Sequence, residues 1–369
     1  PVADRHPKNG PVPESPLRCA VVVVNYNGAE FVGECLESLR IQQVNGLDVQ
    51  VLVVDNQSSD GSAELIAERF PDFTLVRSDR NRGFAGGVNL ALAATSAEVV
   101  VLLNPDAAAD PGFLDAITAP LRAAGSEHLA AVSGRIQLSG RFRPAPGDPN
   151  AYRSASGERW TRLPSDAPDT SGVVLLNSTG SQLSRSGNAR DRSWLTPADR
   201  PTSEPNVFGF CGGAAALRRS ALDAVGSFDE SLFMYYEDVD LSWRLRRAGW
   251  QIRYAADATV THRHAASSGI RSRLFLVHNI RNRILVTARN GPPAMVRAAL
   301  LRTVVSLGKS LVRCLAPGQS ADARRQVGAT VTAVVGAARA WPATRASGRR
   351  QDARSDLPRT FVDDWTLPD

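Results

Sequence analysis

Several side chains in this 369-residue chain have types and spacings suited to chemistry. Asp55 follows the apolar run VQVLVV, and Asp106 follows VVVLL, Asn104 and Pro105. A carboxylate on so rigid a mount as Asp106 is what holding Mg²⁺ or Mn²⁺ against substrate phosphates requires. Further on, Phe228-Asp229-Glu230 and Tyr235-Tyr236-Glu237-Asp238-Val239-Asp240 crowd acids among aromatic rings. Like charges so close repel, and burial against Tyr and Phe raises a carboxylate pKa, which tunes one of them as a general base. The competing reading is a helix N-terminus whose acids complement its dipole. His262 and His264 follow the β-prone run Ala258 to Thr261 and fall on one strand face, either as a structural pair or as ligands in a metal site shared with the acids.

The elements that position these groups are legible as patterns. Cys19 to Val24 is a continuous apolar, β-branched run, as in a strand buried on both faces, and it ends in Asn25-Tyr26-Asn27-Gly28. A helical pattern follows from 30 to 42, a second buried strand over Val49 to Val54, and a helix over Ser62 to Phe70. Phe73 to Arg77, Gly86 to Thr95 and Val99 to Leu103 read as strand, helix and strand. This alternation predicts an α/β sandwich around a mostly parallel sheet. Ligands bind such sheets outside the carboxyl ends of the strands, where Tyr26, Asp55 and Asp106 converge. Taken singly each is an ordinary loop residue; three successive strand ends of the same character argue for a site.

The flanking segments differ. Residues 1–17 hold five prolines and read as a disordered arm, and 135–205 as an irregular lobe inserted in the same domain. Phe208 to Leu217 reads as strand and turn, Ser220 to Val225 as a short helix, and Glu237 to Ala248 as a helix. Helical patterns recur over Leu274 to Ala288, Met295 to Leu315 and Arg324 to Ala340, and 341–369 reads as a disordered tail.

Several classes are excluded. The turn after the first strand carries no GxGxxG, and no P-loop occurs. The glycine-rich pieces Gly83 to Gly87 and Gly209 to Gly213 are open between packing glycines and a phosphate cradle, the former as a turn opening a helix. The cysteines, Cys19, Cys35, Cys211 and Cys314, form no CxxC pair, which fits a reducing cytoplasm and neither a zinc site nor a disulfide scaffold. No uncharged apolar run reaches membrane-spanning length, and no leader pattern precedes the first strand. From His262 to Arg350 there are 16 Lys plus Arg against one acid, Asp322, whereas the body before it is acidic. The basic third points to an anionic partner, either a membrane surface or a nucleic acid, while the acidic body is a poor nucleic-acid platform.

Taken in order, VVVVNYNG (21–28), VVDNQSSDGS (53–62), NRGFAGGVN (81–89), LLNPDA (102–107), CGGAAALRR (211–219), VGSFDESLFMYYEDVDLSWRLRRAGW (225–250), ATVTH (258–262) and HNIRNRILV (278–286) resemble the family 2 glycosyltransferases of GT-A fold, in their bacterial rhamnosyltransferase-like branch. The resemblance covers about 18–290 and implies a Rossmann-like, mostly parallel sheet sandwiched by helices. The catalytic domain would span 18–270, with a basic amphipathic helical appendage over 271–340.

The resemblance also implies roles. Tyr26 and Asp55, with Asn25 beside them, match positions that hold the nucleotide base; Asn81 and Gly83 match the loop lining the nucleotide. Asp106 matches the metal-binding acid of the DxD element, whose first position here is Asn104, so one carboxylate ligand is lost. His262 can complete the metal site. Asp238 matches the general base of inverting members, with Glu237 orienting the acceptor or tuning it. Trp243 and Arg244 either line the acceptor site or pack the helix. The implied reaction is metal-dependent (Mg²⁺ or Mn²⁺), inverting transfer of a sugar, rhamnose from dTDP-rhamnose first, to a cell-envelope or polyprenyl-diphosphate-linked glycan. UDP-galactofuranose, UDP-glucose and UDP-N-acetylglucosamine stay open as donors. Processive members carry a QxxRW string, absent here, so single addition is expected.

A catalytically silent nucleotide-sugar-binding scaffold is the rival reading, and a nucleotidyltransferase is disfavoured because 21–33 lacks a glycine-rich triphosphate loop. On a helical wheel from Met295, Arg302, Lys309 and Arg313 fall within about 40° of one another, opposite much of the Leu and Val, and Arg297 lies off that face. This is an interfacial rather than a spanning pattern and places the protein in the cytoplasm, peripheral on the inner face of the membrane. A solvated helix packed on the catalytic domain, or a homodimer contact, is its alternative.

Overall fold

The computed structural model describes residues 16–148, 151–154, 156–168, 171–200, 204–263, 272–315, 320–350 and 362–363. The N-terminal half alternates β1 (Leu17–Asn25), α1 (Val32–Arg40), β2 (Leu47–Asp55), α2 (Ser62–Arg69), β3 (Thr74–Arg77), α3 (Gly83–Ala93), β4 (Val99–Leu103), β5 (Ala107–Ala109), α4 (Phe113–Arg122) and β6 (Leu129–Leu138). The lobe follows as β7 (Phe142–Pro144), β8 (Tyr152–Arg153), β9 (Arg159–Arg162), β10 (Leu176–Ser178), β11 (Ser181–Ser184) and β12 (Ala189–Asp191). Then come β13 (Ala214–Arg218), α5 (Arg219–Val225), α6 (Glu237–Arg247), β14 (Gln251–His262), α7 (Arg273–Asn290), α8 (Pro293–Arg313), α9 (Ser320–Arg350) and β15 (Val362–Asp363).

Among the described residues, one nine-stranded sheet has the order β3-β2-β1-β4-β13-β6-β14-β5, with β10 added on β6. β3, β2, β1 and β4 are parallel neighbours, β13 runs antiparallel to both β4 and β6, and β14 returns parallel to β6. The expected mostly parallel α/β sandwich is what forms.

The continuous apolar strands are buried on both faces, which is why they lack alternation. Val21 and Val23 of β1 pack in one layer with Val32, Leu36, Ile66, Phe113 and Ile117 of α1, α2 and α4. Val22 and Val24 pack in the other with Val88, Ala91, Leu222 and Leu241 of α3, α5 and α6. Each such Val or Leu contributes roughly 1.5–3 kcal/mol through removal from water, so this core fixes the strand register.

Three expectations change. α3 begins at Gly83 rather than Gly86, so the glycine-rich piece is the first turns of the helix; a Cβ on Gly87 would stand 2.6 Å from Val24 Cγ1, and the small residue lets helix and strand close up. The lobe is more ordered than its composition predicts: β7, β9 and β8 form a small sheet, and β11 and β12 a hairpin. α9 continues past 340 to Arg350, where the tail was expected to be disordered; Trp341 packs beside Ile284 and Leu285, and this burial extends the helix. Val362–Asp363 of the same tail pair with β11. The arm expected over 1–17 lies outside the described residues except for its last two.

Candidate active site

The ends of β1 and β2 run side by side, with Asn25 paired to Asp55. The loops beyond are laced together: Asn27 N–H donates to Ser58 Oγ at 3.0 Å, and Ser59 N–H to Asn27 Oδ1 at 2.8 Å. Buried Asn25 donates to Ser62 Oγ at 2.9 Å. Asp55 is also buried; Oδ2 accepts from Ser58 N–H at 3.3 Å, while Oδ1 has no protein donor. An orphaned buried carboxylate oxygen is costly, and a ligand N–H reaching it removes that cost. One residue beyond this pair, Tyr26 is 46% exposed, a large ring kept out of the core.

Asn81 closes the neighbouring loop, its Oδ1 accepting from Asn56 Nδ2 at 3.1 Å and from Gly83 N–H at 2.9 Å. Gly83 has φ +69°, and a Cβ there would fall 2.3 Å from the Phe233 carbonyl oxygen. Gly83 is therefore a close-approach glycine. Its N–H is committed to Asn81, and the phosphate-cradle reading of this turn is replaced by a packing one.

Asp106 and His262 meet through sheet register. Antiparallel pairing of β14 with β5 sets His262 opposite Ala107, and His262 Nε2 lies 3.0 Å from Asp106 Oδ1. The other ring nitrogen, Nδ1, donates to Asn177 Oδ1 at 2.8 Å, which fixes the ring and directs Nε2 at the carboxylate. Asn104 Nδ2 stands 3.5 Å from the same Nε2. Ligand atoms at about 2.1 Å from an octahedral cation are about 3 Å apart along a cis edge, so this oxygen and nitrogen fit two positions of one ion. Among the described residues no set of three or more His, Cys, Asp and Glu could hold a metal, so a cation here would take its other ligands from outside these side chains. His264 lies outside the described residues.

The acid cluster opens α6. Glu237 is buried, with Oε2 unpaired, and burial first, then the charge of Asp238, pushes its carboxyl well above the ordinary range. Asp238 accepts from Gly212 N–H at 3.1 Å on Oδ2 and from its neighbour Val239 N–H at 2.8 Å on Oδ1. Burial raises it to about 6, the two N–H donors opposing and the charge of Asp191 adding to the rise. Both carboxyls of the pair are thus raised, Glu237 well above its ordinary range, and Asp238, at about 6, is ionised at neutral pH.

The turn leading into α6 is strained: Phe233, Tyr235 and Tyr236 all have positive φ, 65°, 65° and 70°. Phe233, at φ 65° and ψ −67°, centres a γ-turn closed by Met234 N–H to the Leu232 carbonyl at 2.8 Å. Asn282 of α7, fully buried, holds this turn by donating to the carbonyls of Leu232, Met234 and Tyr235 at 2.8, 2.9 and 2.8 Å.

The two candidate acceptor residues are placed elsewhere. Trp243 is buried against Phe208, Val286 and Met295. Arg244 is 6% exposed and donates to Asp240 and to the carbonyls of Val225, Gly226 and Ser227. Both pack the helix, and neither lines an open surface.

Asn177 and Asp191 are not singled out by the sequence, and Gly212 and Asn282 stand there only within longer strings, with no role of their own. Asn177 and Asp191 come from the lobe. Asp191 accepts from Ser178 and Cys211, and burial raises its pKa. Cys211, between Asp191 and Asp238, is pushed well above the ordinary thiol range by burial and by both carboxylates, so it is not a nucleophile. The overlooked signal was Asn177-Ser178-Thr179-Gly180, a polar cluster ending another apolar run.

Comparison with known proteins agrees with this geometry. Residues 20–226 match the model of glycosyl transferase family 2, and 190–279 that of glycosyl transferase family group 2. The chain is 31% identical over 262 residues to the N-acetylglucosaminyl-diphospho-decaprenol L-rhamnosyltransferase of Mycobacterium tuberculosis, covering 68% of this chain and 77% of that one. It is 26% identical to an uncharacterized glycosyltransferase of Bacillus subtilis, over 75% of this chain and 74% of the relative. The solved structure of GalNAc-T7 with UDP, GalNAc and Mn²⁺ shares the fold, with TM-score 0.55, 14% identity, and 94% of this chain and 59% of that chain covered. The chain has the GT-A fold, is a glycosyltransferase, and belongs to glycosyl transferase family 2.

Proposed function

We propose that this enzyme transfers a sugar, with inversion and in single additions, from a nucleoside diphosphate donor to a polyprenyl-diphosphate-linked N-acetylglucosamine. The relative from Mycobacterium tuberculosis, a rhamnosyltransferase by name, supports rhamnose from dTDP-rhamnose as the sugar and the lipid-linked acceptor. The observation that carries the mechanism is Asp238 at the opening of α6, aimed by the Gly212 and Val239 N–H groups, with its carboxyl raised by burial to about 6.

The donor base stacks on Tyr26, and its ring N–H meets the orphaned Oδ1 of Asp55. Asn25, Asn81, Gly83 and Asn104 hold the loops around the nucleotide. Asp106 and His262 would hold a divalent cation, Mn²⁺ in preference to Mg²⁺ because one ligand is an imidazole; bound there, it would offset charge on the diphosphate. Asp238 Oδ accepts the acceptor hydroxyl proton as that oxygen bonds to the anomeric carbon. The bond from that carbon to the diphosphate breaks, its electron pair leaving with the phosphate. Gly212 and Val239 N–H groups keep Asp238 aimed, and Glu237, its carboxyl raised by burial, orients the acceptor. The enzyme works in the cytoplasm, peripheral on the inner face of the membrane.

The test is thermal stabilisation of the protein by dTDP, dTDP-rhamnose and the UDP sugars with and without Mn²⁺, since a ligand of the native state raises Tm. A Mn²⁺-dependent shift led by dTDP-rhamnose supports the donor assignment; no shift with any nucleotide rejects the Tyr26, Asp55 and Asp106 site.

A further inference from the structure

α8 is oriented opposite to an ordinary surface helix. It turns Met295, Val296, Ala299, Thr303 and Ser310 inward, a stripe of mainly small or polar side chains. Outward it presents Leu300, Leu301, Val304, Val305, Leu311 and Val312, from 41% to 69% exposed, and Leu315 just beyond its end is 86% exposed. At 100° per residue the exposed set spans an arc of about 140°, along about 18 Å from Leu300 to Val312. Monomeric proteins rarely leave so contiguous an apolar face in water.

The helix is nevertheless firmly seated. Met295 joins the cluster of Phe208, Tyr236, Val239 and Trp243, next to the catalytic acids. Buried Arg283 of α7 donates to Thr303 Oγ1 at 2.6 Å and to Asn188 Oδ1 at 2.7 Å, tying α8 to the hairpin that carries Asp191. Arg302, expected on an outward basic face, is half-buried near Tyr236 and Arg283. The outward stripe is therefore apolar, with Arg297, Lys309 and Arg313 exposed around it.

We infer that this Leu/Val face is a bilayer-docking surface, lying flat in the headgroup boundary of an anionic leaflet. Leu301, Val304, Val312 and Leu315 enter the acyl region, and Arg297 and Arg313 meet the lipid phosphates. Charge selects this occupant over a second copy of the chain. α8 exposes Arg297, Lys309 and Arg313 and carries no acid along its length, so two such faces repel each other while an anionic leaflet attracts either one. Among the described residues no helix is long and apolar enough to cross a membrane, so the contact is in-plane. The acidic body is repelled by the same leaflet, which orients the molecule with α8 down. The inference extends the lipid-linked acceptor reading, since a docked enzyme meets its substrate in the plane where that substrate is confined.

The experiment is flotation of the full chain with acceptor-free vesicles of phosphatidylcholine alone or with about 30 mol% phosphatidylglycerol. Wild type is expected to float with the anionic vesicles. Leu301→Ser, Val304→Ser and Val312→Ser combined should lower partitioning at least about tenfold with the nucleotide-induced Tm shift unchanged. Should the triple variant fold poorly, Val304→Trp replaces it, and its added fluorescence is expected to be quenched by brominated lipid. Equal flotation of wild type and triple variant, or no quenching, overturns the docking surface. So does a wild-type dimer that the triple variant converts to monomer without change in flotation, which identifies a second copy as the occupant. The acceptor-free format separates the two readings: an enzyme that floats but ignores a lipid-linked acceptor refutes the acceptor assignment and leaves the surface standing.

Discussion

The side-chain amide of Asn282 donates to the Tyr235 carbonyl at 2.8 Å, so a residue of α7 determines the approach of the chain to Glu237 and Asp238, the proposed catalytic acids two and three residues later. Because the same amide also holds Leu232 and Met234, Asn282→Ala strands three carbonyls on a turn with three positive-φ residues. We expect a loss of about 2–4 kcal/mol in stability. Relaxation of the turn also moves Glu237 and Asp238, so kcat should fall while the donor KM changes little. Thermal melts with steady-state kinetics on the folded fraction check this; unchanged kcat with lowered Tm would reduce Asn282 to a scaffold residue.

Asp238 sets the acid limb of the rate profile. With its pKa at about 6, kcat/KM should rise with pH up to that value and then level. Asp238→Asn should remove at least about a hundredfold of turnover and retain donor binding. The stability effect has the opposite sign. A raised carboxylate pKa means that the folded state holds its proton between about 4 and about 6 while the unfolded chain has lost it, so stability falls as pH rises through that window. Above it, Asn at this position should stabilise the fold by about 1 kcal/mol, the full shift being screened by partial exposure. Melts at pH 4 and pH 7.5 should show the gain only at the higher pH.

How the site is assembled explains which parts of it were readable in advance. β1, β2 and β4 announce themselves because strands buried on both faces are unbroken Val and Leu, and polar residues at their ends mark the ligand edge; Asp55 and Asp106 follow directly. Asn177 and Asp191 cannot be reached that way, since the pairing of β10 with β6 across the lobe and the β11–β12 hairpin beyond it carry them to His262 and Cys211. Arg244 was open between an acceptor role and packing because its periodicity on α6 is visible, while the carbonyls of Val225 to Ser227 that absorb it are not. The C-terminal helices followed the periodicity well, but wheel geometry does not reveal which face meets the protein. α8 buries its Thr303 and Ser310 and exposes its leucines.

Asn177 should act on metal binding through His262. Asn177→Leu removes the acceptor of the Nδ1–H, freeing the ring to turn Nε2 away from Asp106. Loss of such a supporting partner lowers metal affinity about 10–100-fold. Mn²⁺ titrations followed by electron paramagnetic resonance in the presence of dTDP should show this weakening, and His262→Ala a larger one. An unchanged Mn²⁺ isotherm in both variants would remove His262 from the ligand set.

Arg244 offers a separate test, because its partners are structural. Asp240 is fully buried and accepts from Arg244 Nε at 2.8 Å, from Arg289 Nη1 at 3.1 Å and from Asn290 Nδ2 at 2.9 Å, while Arg289 also pairs with Asp229. This network fastens α6 to α7 and to the segment before the strained turn. Removing one member of a buried ion pair leaves the others desolvated, at a cost of about 3–5 kcal/mol. Arg244→Met should pay that cost, since it also abandons the carbonyls of Val225, Gly226 and Ser227, and Arg244→Lys should recover little because an ammonium cannot reach four acceptors in one plane. Acceptor KM on the remaining folded enzyme should stay within about twofold of wild type, as expected for packing residues distant from substrate. A large rise in acceptor KM at unchanged Tm would instead place this guanidinium at the acceptor.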